Sequence, residues 1–273
     1  VNEKAAPNFR PLKRWTRFTA VERAFRTVFY LICVAAIVWS LRTIEVIPEF
    51  LYDAPEQTAD LFRRMWPFDW AFYPEAIHDA LIETFHIATL GTLLALLMAV
   101  PLSFIAARNF TPQPWLNAVA QFIFVSSRSV NSLIWALLFV AIFGPGALAG
   151  VMSIAFRSIG FVGKIFSEAL EEVARGPVEA LTAAGAPKSM IVVKGYWPQA
   201  EPAFWSVALL RWDINIRESA VLGLVGAGGI GVALDAALNN LYWDQVGLIL
   251  AVIFTVVMIT EIVTSQIRSR IIR

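Results

Sequence analysis

Residues 211–219, RWDINIRES, carry the densest chemistry of this 273-residue chain, and they sit inside a stretch that is otherwise apolar. On a helix Arg211, Asn215 and Glu218 share one face by their i, i+4, i+7 spacing, while Asp213 and Arg217 form an i, i+4 pair on another. Ser219 follows them, and two further arginines, Arg128 and Arg157, also fall within apolar runs, with Asn131 three residues after the first. A charge at membrane depth is expensive and normally faces a bundle interior or a wet cavity. These nine residues are therefore expected to line a pathway, with Arg211 as its central member. The competing reading is a self-satisfied network, and Arg217, one turn from Asp213, is the member most exposed to it. A core that needed only stability would be more cheaply apolar, which favours the pathway reading for the group.

Other chemistries find no support in the sequence. There is no P-loop lysine motif, so the chain should not hydrolyse ATP itself, and no catalytic residue is assigned. His78 and His86 stand eight apart with no ligand cluster, and Cys33 is alone, so neither a metal site nor an intramolecular disulfide is expected. GAGGIG at 226–231 formally fits G-x-G-x-x-G, with Asp244 eighteen residues beyond Gly226. A dinucleotide site needs a strand before it and a βαβ unit around it, and neither is present. Gly226, Gly228, Gly229 and Gly231 read instead as a broken, closely packed backbone at the outer mouth of a pathway.

The elements that must position these residues are membrane helices. Apolar residues make up 58% of the chain and charged residues only 16%, against about 25% charged in soluble domains. The net charge of +1 implies neither nucleic acid nor a polyacid as partner. Six spans are expected: 27–43, 84–107, one from about 116 to just before Gly144, 148–166, 203–225 and 246–267. The third is expected to hold Arg128 at mid-span. Residues 1–26 form a basic segment suited to anionic lipid, 44–79 an acidic outer loop with an interfacial aromatic stretch at 62–74, and 268–273 a basic tail. Residues 80–267 form the core domain. Fifteen of the 22 lysines and arginines fall on segments assigned to the cytoplasm and three on outer ones, which puts both ends inside.

One polar excursion, 168–202, is longer than a tether needs. Residues 177–184 are expected to form a short helix with Pro177 near its start and Glu179 in its first turn. Gly185 ends it with a sharp turn, and Pro187 starts a second helix, which makes a compact knob.

Glu179, Ala180 and Leu181, followed after three residues by Gly185 and then by Pro198, resemble the coupling loop of ATP-binding-cassette importer permeases. The usual form is E-A-A, three residues, G, nine residues, I-x-L-P. Leu181 replaces the second alanine, Gly195 the isoleucine and Trp197 the leucine. SLIWALLFVAIFGPG (132–146), SIGFVGKIFSEALEEV (158–173), GPVEALTAAGA (176–186) and NIRESAVLGLVGAGGIG (215–231) further resemble the phosphonate-type permease, from about Leu81 to the C-terminus. Asn131 stands where that family usually has a proline.

The resemblance implies an all-α importer-permease fold of about six spans in a bacterial inner membrane. It implies a homodimer, two cytoplasmic subunits that hold ATP and magnesium, an external solute-binding protein, and a phosphorus oxyanion as cargo. Pro177, Glu179, Ala180, Leu181, Gly185, Ala186 and Pro198 map to the ATPase-coupling element. An ion-coupled secondary transporter or a small-anion channel is the alternative, and it would call for internal repeats or bound ions.

Overall fold

The computed structural model describes residues 18, 20–44 and 48–271, and these are helical, with no strand among them. The basic stretch up to Arg17 and the terminal Arg273 lie outside the described residues. The chain divides into two units, residues 1–58 and 59–273, and the division falls inside α2 (Pro48–Met65).

The first unit contains α1 (Ala20–Thr43), which has no charged residue between Arg26 and Arg42. Its large side chains are exposed on every side: Phe25, Leu31, Ile37 and Trp39 all present more than half their surface. A 24-residue helix that is apolar all round is a membrane span. α2 is amphipathic and eighteen residues long. A helix starting at Pro48 was not expected; only the aromatic stretch at 62–74 was read as a short helix or hairpin. Glu49, Asp53, Glu56 and Asp60 recur every three or four residues, a spacing that the count of acidic residues alone had hidden.

The second unit is built around α6 (Ala147–Glu171), which packs against α3 (His78–Ala106), α4 (Pro114–Ser129), α5 (Ser132–Phe143) and α9 (Trp197–Leu222). Small residues let it do so. A Cβ on Gly160 would overlap the carbonyl oxygen of Phe124 on α4. Without a hydrophobic drive between helices in lipid, such close backbone approach supplies the packing energy. At one end of the unit Phe104, Phe166, Trp197 and Phe204 meet edge to face or tilted, with ring centroids between 5.1 and 6.2 Å for the pairs made with Phe166 and for Trp197 with Phe204. α10 (Ile230–Asn239) and α11 (Trp243–Ile271) complete the unit.

Among the described residues four helices are long and apolar enough to cross a membrane alone: α1, α3 with the π turn before it, α6 and α11. Two bent pairs raise the number to six. The expected third span, from about 116 to just before Gly144, is a bent pair of helices: α4 and α5 meet at 93°. Val130 and Asn131 are both extended, and Asn131 caps α5 by accepting the N–H of Leu133 at 3.0 Å. Ser153 of α6 donates to the Ser132 carbonyl at 2.8 Å, which ties the start of α5 to α6. Arg128 consequently lies in the last turn of α4, at the bend that divides the pair.

The fifth span also starts earlier than expected. α9 begins at Trp197, with Pro198 in its first turn and Pro202 inside it, and runs into a 3-10 turn at Gly223–Val225. Gly226, Gly228 and Gly229 all take positive φ, and α10 leaves at 42°. Gly231 is helical, but a Cβ there would overlap the Ala220 carbonyl, so the return helix lies directly against the end of α9.

Candidate functional site: a buried ion cluster and a docked loop helix

The face of α9 that carries Arg211, Asn215 and Glu218 turns toward α6 and α3. Glu218 accepts hydrogen bonds from Arg211 Nη2 at 3.2 Å and from Arg157 Nη1. Arg211 Nε donates to Ser158 Oγ at 2.8 Å, and Ser158 donates to Asn215 Oδ1 at 3.2 Å. Asn215 Nδ2 reaches Thr92 Oγ1 of α3 at 2.8 Å, and Thr92 passes its own proton to the Ala88 carbonyl at 2.6 Å. The guanidinium carbon of Arg211 lies 5.5 Å from the centroid of the Phe161 ring. Ser219, one residue on, bonds the carbonyls of Ile216 and Thr84. Two guanidiniums thus share one carboxylate, and three helices are tied by a continuous chain of polar contacts.

Exposure separates the arginines. The Arg211 side chain is 4% exposed, enclosed by its partners. Arg157 is half-buried, and together with Asn131, Ser132, Arg217 and Glu218 it lines an open cavity of about 330 Å³. Arg128 is exposed at the bend. Arg217 pairs with Asp213 as its i, i+4 spacing implies, remains 44% exposed, and lies 3.9 Å from Glu261 of α11. Thr92, Ser158 and Glu261 were not anticipated from the sequence. Thr92 and Glu261 stand in apolar runs and Ser158 directly follows Arg157; each belongs to the arrangement because of what packs against it. Among the described residues no group of histidine, cysteine or carboxylate side chains is placed to hold a metal ion.

The loop between α6 and α9 forms a second feature. α7 (Arg175–Ala183) starts two residues before the expected Pro177, so Glu179 falls in its second turn. The end of α7 matches the expected turn: Gly185 has φ +73°, its N–H bonds the Thr182 carbonyl at 3.0 Å, and Ala186 N–H bonds the Leu181 carbonyl at 3.1 Å. That pair of bonds is the Schellman motif. The second helix is one turn, α8 (Lys188–Met190), continued by a π segment at Ile191–Tyr196 into α9.

α7 lies on that π segment. Gly195 is buried, and a Cβ there would sit 3.3 Å from Leu181 Cδ1 and 3.4 Å from Val178 Cγ2. Gln199 Oε1 accepts the Ala174 N–H at 3.2 Å while its Nε2 donates to the Gly195 carbonyl at 2.7 Å. Pro177, Glu179, Ala180, Thr182 and Ala183 remain exposed. Two departures from the usual loop motif therefore compensate one another: the bulk missing at 195 has moved to 181, across the same contact.

The all-helical core thus combines a bent pair of helices, a glycine-broken return and a docked loop helix. Residues 99–268 match the family described as binding-protein-dependent transport system inner membrane component, and the chain belongs to it. The phosphite transport system permease protein PtxC of Stutzerimonas stutzeri is 39% identical over 210 residues, 77% of this chain and 76% of that protein. The phosphate-import permease protein PhnE of Mycolicibacterium smegmatis is 38% identical over 233 residues, 85% of this chain. This chain spans 44% of that relative's length. Among solved structures, an amino acid ABC transporter with histidines superposes with a TM-score of 0.62 at 21% identity, covering 73% of this chain and 96% of that one. The MetNI methionine ABC transporter in an inward-facing conformation follows at 0.61 and 21%, covering 72% and 96%. At that identity the two structures speak for the fold alone.

Proposed function

We propose that the chain is the membrane-spanning subunit of an ATP-binding-cassette importer and that a homodimer of it passes a phosphorus oxyanion. ATP and magnesium would be held by two separate cytoplasmic subunits, and an external binding protein would deliver the solute. The observation that carries this reading is the exposed, capped helix α7, held against the π segment through Leu181 and Val178 and tied to α9 by Gln199. Closure of an ATP-binding subunit on α7 would push the π segment and α9 together, and α9 carries the ion cluster. The named relatives for phosphite and phosphate support the cargo class.

In this reading Arg128, Arg157 and Arg217 give the pathway its positive surface, and the Arg211–Glu218 contact holds that surface in place. Guanidinium groups suit phosphorus oxyanions, and sharing of Arg157 with Glu218 and of Arg217 with Asp213 keeps capture weak enough for release. Gly226, Gly228 and Gly229 shape the outer mouth. The lipid bilayer of a bacterial inner membrane surrounds the dimer, and nucleic acid has no part in it.

In proteoliposomes with the ATP-binding subunit and the loaded binding protein, phosphite or phosphonate uptake should require ATP. Gly185→Val places a β-branched residue at φ +73°, a strain of at least about 1 kcal/mol localised to the loop. Helix content should stay intact while uptake falls tenfold or more. Uptake driven by an ion gradient without ATP would overturn the importer reading, and wild-type uptake in Gly185→Val would make α7 a tether.

Orientation is part of the proposal: both ends cytoplasmic, with the 44–79 segment outside. Cysteines placed at Asp53 and Ser269 in a Cys33→Ser background should react with an impermeant thiol reagent from opposite faces. Labelling of both from one face would remove the six-span topology.

A further inference from the structure

α2 (Pro48–Met65) sorts its side chains into two stripes. At 100° per residue Phe50, Leu51, Ala54, Leu61, Phe62 and Met65 fall on one face, and Glu49, Asp53, Glu56 and Asp60 on the opposite one. Phe50 and Leu51 are 65% exposed and Phe62 66%. Large apolar side chains gathered on one stripe of a charged helix call for a cover other than water.

Both ends of α2 are tied to membrane spans. The span α1 ends at Thr43, and the four residues 44–47 keep Pro48 within about 17 Å of that end. At the other end, a Cβ on Gly247 in the opening turns of the span α11 would lie 2.9 Å from the Met65 carbonyl oxygen. With six charged residues in eighteen, α2 does not cross the membrane itself. It therefore runs along a membrane face, for about 27 Å. Just beyond it Trp66 and Trp70 are 69% and 68% exposed, on either side of Phe68, which packs on the core around Ile77, Val246 and Ile249. Exposed tryptophans beside a span mark the headgroup level.

The charge on the water side selects the lipid. Interfacial helices that hold to anionic lipid carry lysine and arginine on the polar face. α2 carries four carboxylates there against Arg63 and Arg64, and Arg64 is already paired with Asp60 at 2.7 Å. An anionic surface would repel that stripe, and a zwitterionic one would not.

We propose that α2 is an interfacial helix whose apolar stripe lies in a leaflet of zwitterionic phospholipid, with its carboxylates turned to water. The membrane contact then reaches back from the aromatic stretch at 62–74 to Phe50, and headgroup charge sets its strength. It needs neither ATP nor a partner subunit, so the proposal stands or falls apart from the transport reading.

The test uses the full Cys33→Ser chain in nanodiscs, with a nitroxide on one introduced cysteine at a time. In phosphatidylcholine, labels at Phe50→Cys, Ala54→Cys and Phe62→Cys should favour collision with oxygen, which concentrates in lipid, over a water-soluble nickel chelate. Their oxygen-to-nickel ratio should exceed that of labels at Asp53→Cys, Glu56→Cys and Asp60→Cys by about tenfold. All these sites are exposed, so labelling should leave the fold intact. Replacing half the lipid by phosphatidylglycerol should lower the Phe50→Cys ratio severalfold. Neutralising the stripe with Glu49→Gln, Asp53→Asn and Glu56→Gln together should abolish that fall. Equal nickel access to both stripes would overturn the proposal. Shielding of the apolar stripe from both reagents would do so too, since protein and not lipid would then cover it. A ratio unchanged by phosphatidylglycerol would remove the zwitterionic preference.

Discussion

Replacing Glu218 by glutamine should do more damage to the folded protein than replacing either arginine it holds. Among the described residues its carboxylate is the one counter-charge for Arg157 and Arg211, and its side chain is 16% exposed. In Arg211→Gln the carboxylate keeps Arg157, and in Arg157→Gln it keeps Arg211, so a one-to-one pair survives either loss. In Glu218→Gln two guanidiniums stay together with no anion, one of them 4% exposed. Breaking a buried pair by removing one partner costs about 3–5 kcal/mol, a large share of a typical total of roughly 5–15 kcal/mol. The expected result is a several-fold drop in yield and a marked fall in melting temperature in detergent, followed through helix content. Glu218→Asp should recover part of the loss. Wild-type melting of Glu218→Gln would show that the cluster is hydrated and contributes little to holding α6 on α9.

The second large effect should come from restoring the usual loop residue at 195. Gly195→Ile forces a branched side chain into a space where even a Cβ lies 3.3 Å from Leu181. Overpacking of this kind costs about 1–3 kcal/mol, and α7 should lift from the π segment. Arg175, Lys188 and Lys194 flank or fill the loop, so trypsin reports the lifting directly. Each 1.4 kcal/mol shifts an opening equilibrium about tenfold. Cleavage of Gly195→Ile should therefore speed up by roughly one order of magnitude. Leu181→Ala alone should speed it less, because Leu181 is only half-buried. Combined, the two changes restore small against large, and cleavage should return toward the wild-type rate. If their effects instead add, the two departures from the motif are independent and the packing account is wrong.

Chain-local features were legible before any tertiary structure. Helical spans announce themselves by the length of their apolar runs, and α1, α3, α6 and α11 fall where those runs do. The Asp213–Arg217 pair and the turn at Gly185 were equally readable, since partners four residues apart on a helix, or the bonds that close it, need no third element. The shared face of Arg211, Asn215 and Glu218 belongs to the same class.

What that face meets was decided elsewhere in the chain. Ser158 and Thr92 lie 53 and 123 residues from the α9 side chains they bond, and although Ser158 directly follows Arg157, neither neighbourhood points to its α9 partner. The bend after Arg128 is accompanied by Asn131 capping α5 and by Ser153 of α6 donating to the Ser132 carbonyl; hydropathy reads straight through it because neither residue interrupts the apolar average. Leu181 and Gly195 look like two unrelated departures in the sequence, fourteen residues apart, until α7 folds onto the π segment and makes them one contact. Periodicity specifies which residues share a face of one helix, but the partner of that face is chosen by packing between helices, where a missing methyl group or a single hydrogen-bond donor outweighs any local preference.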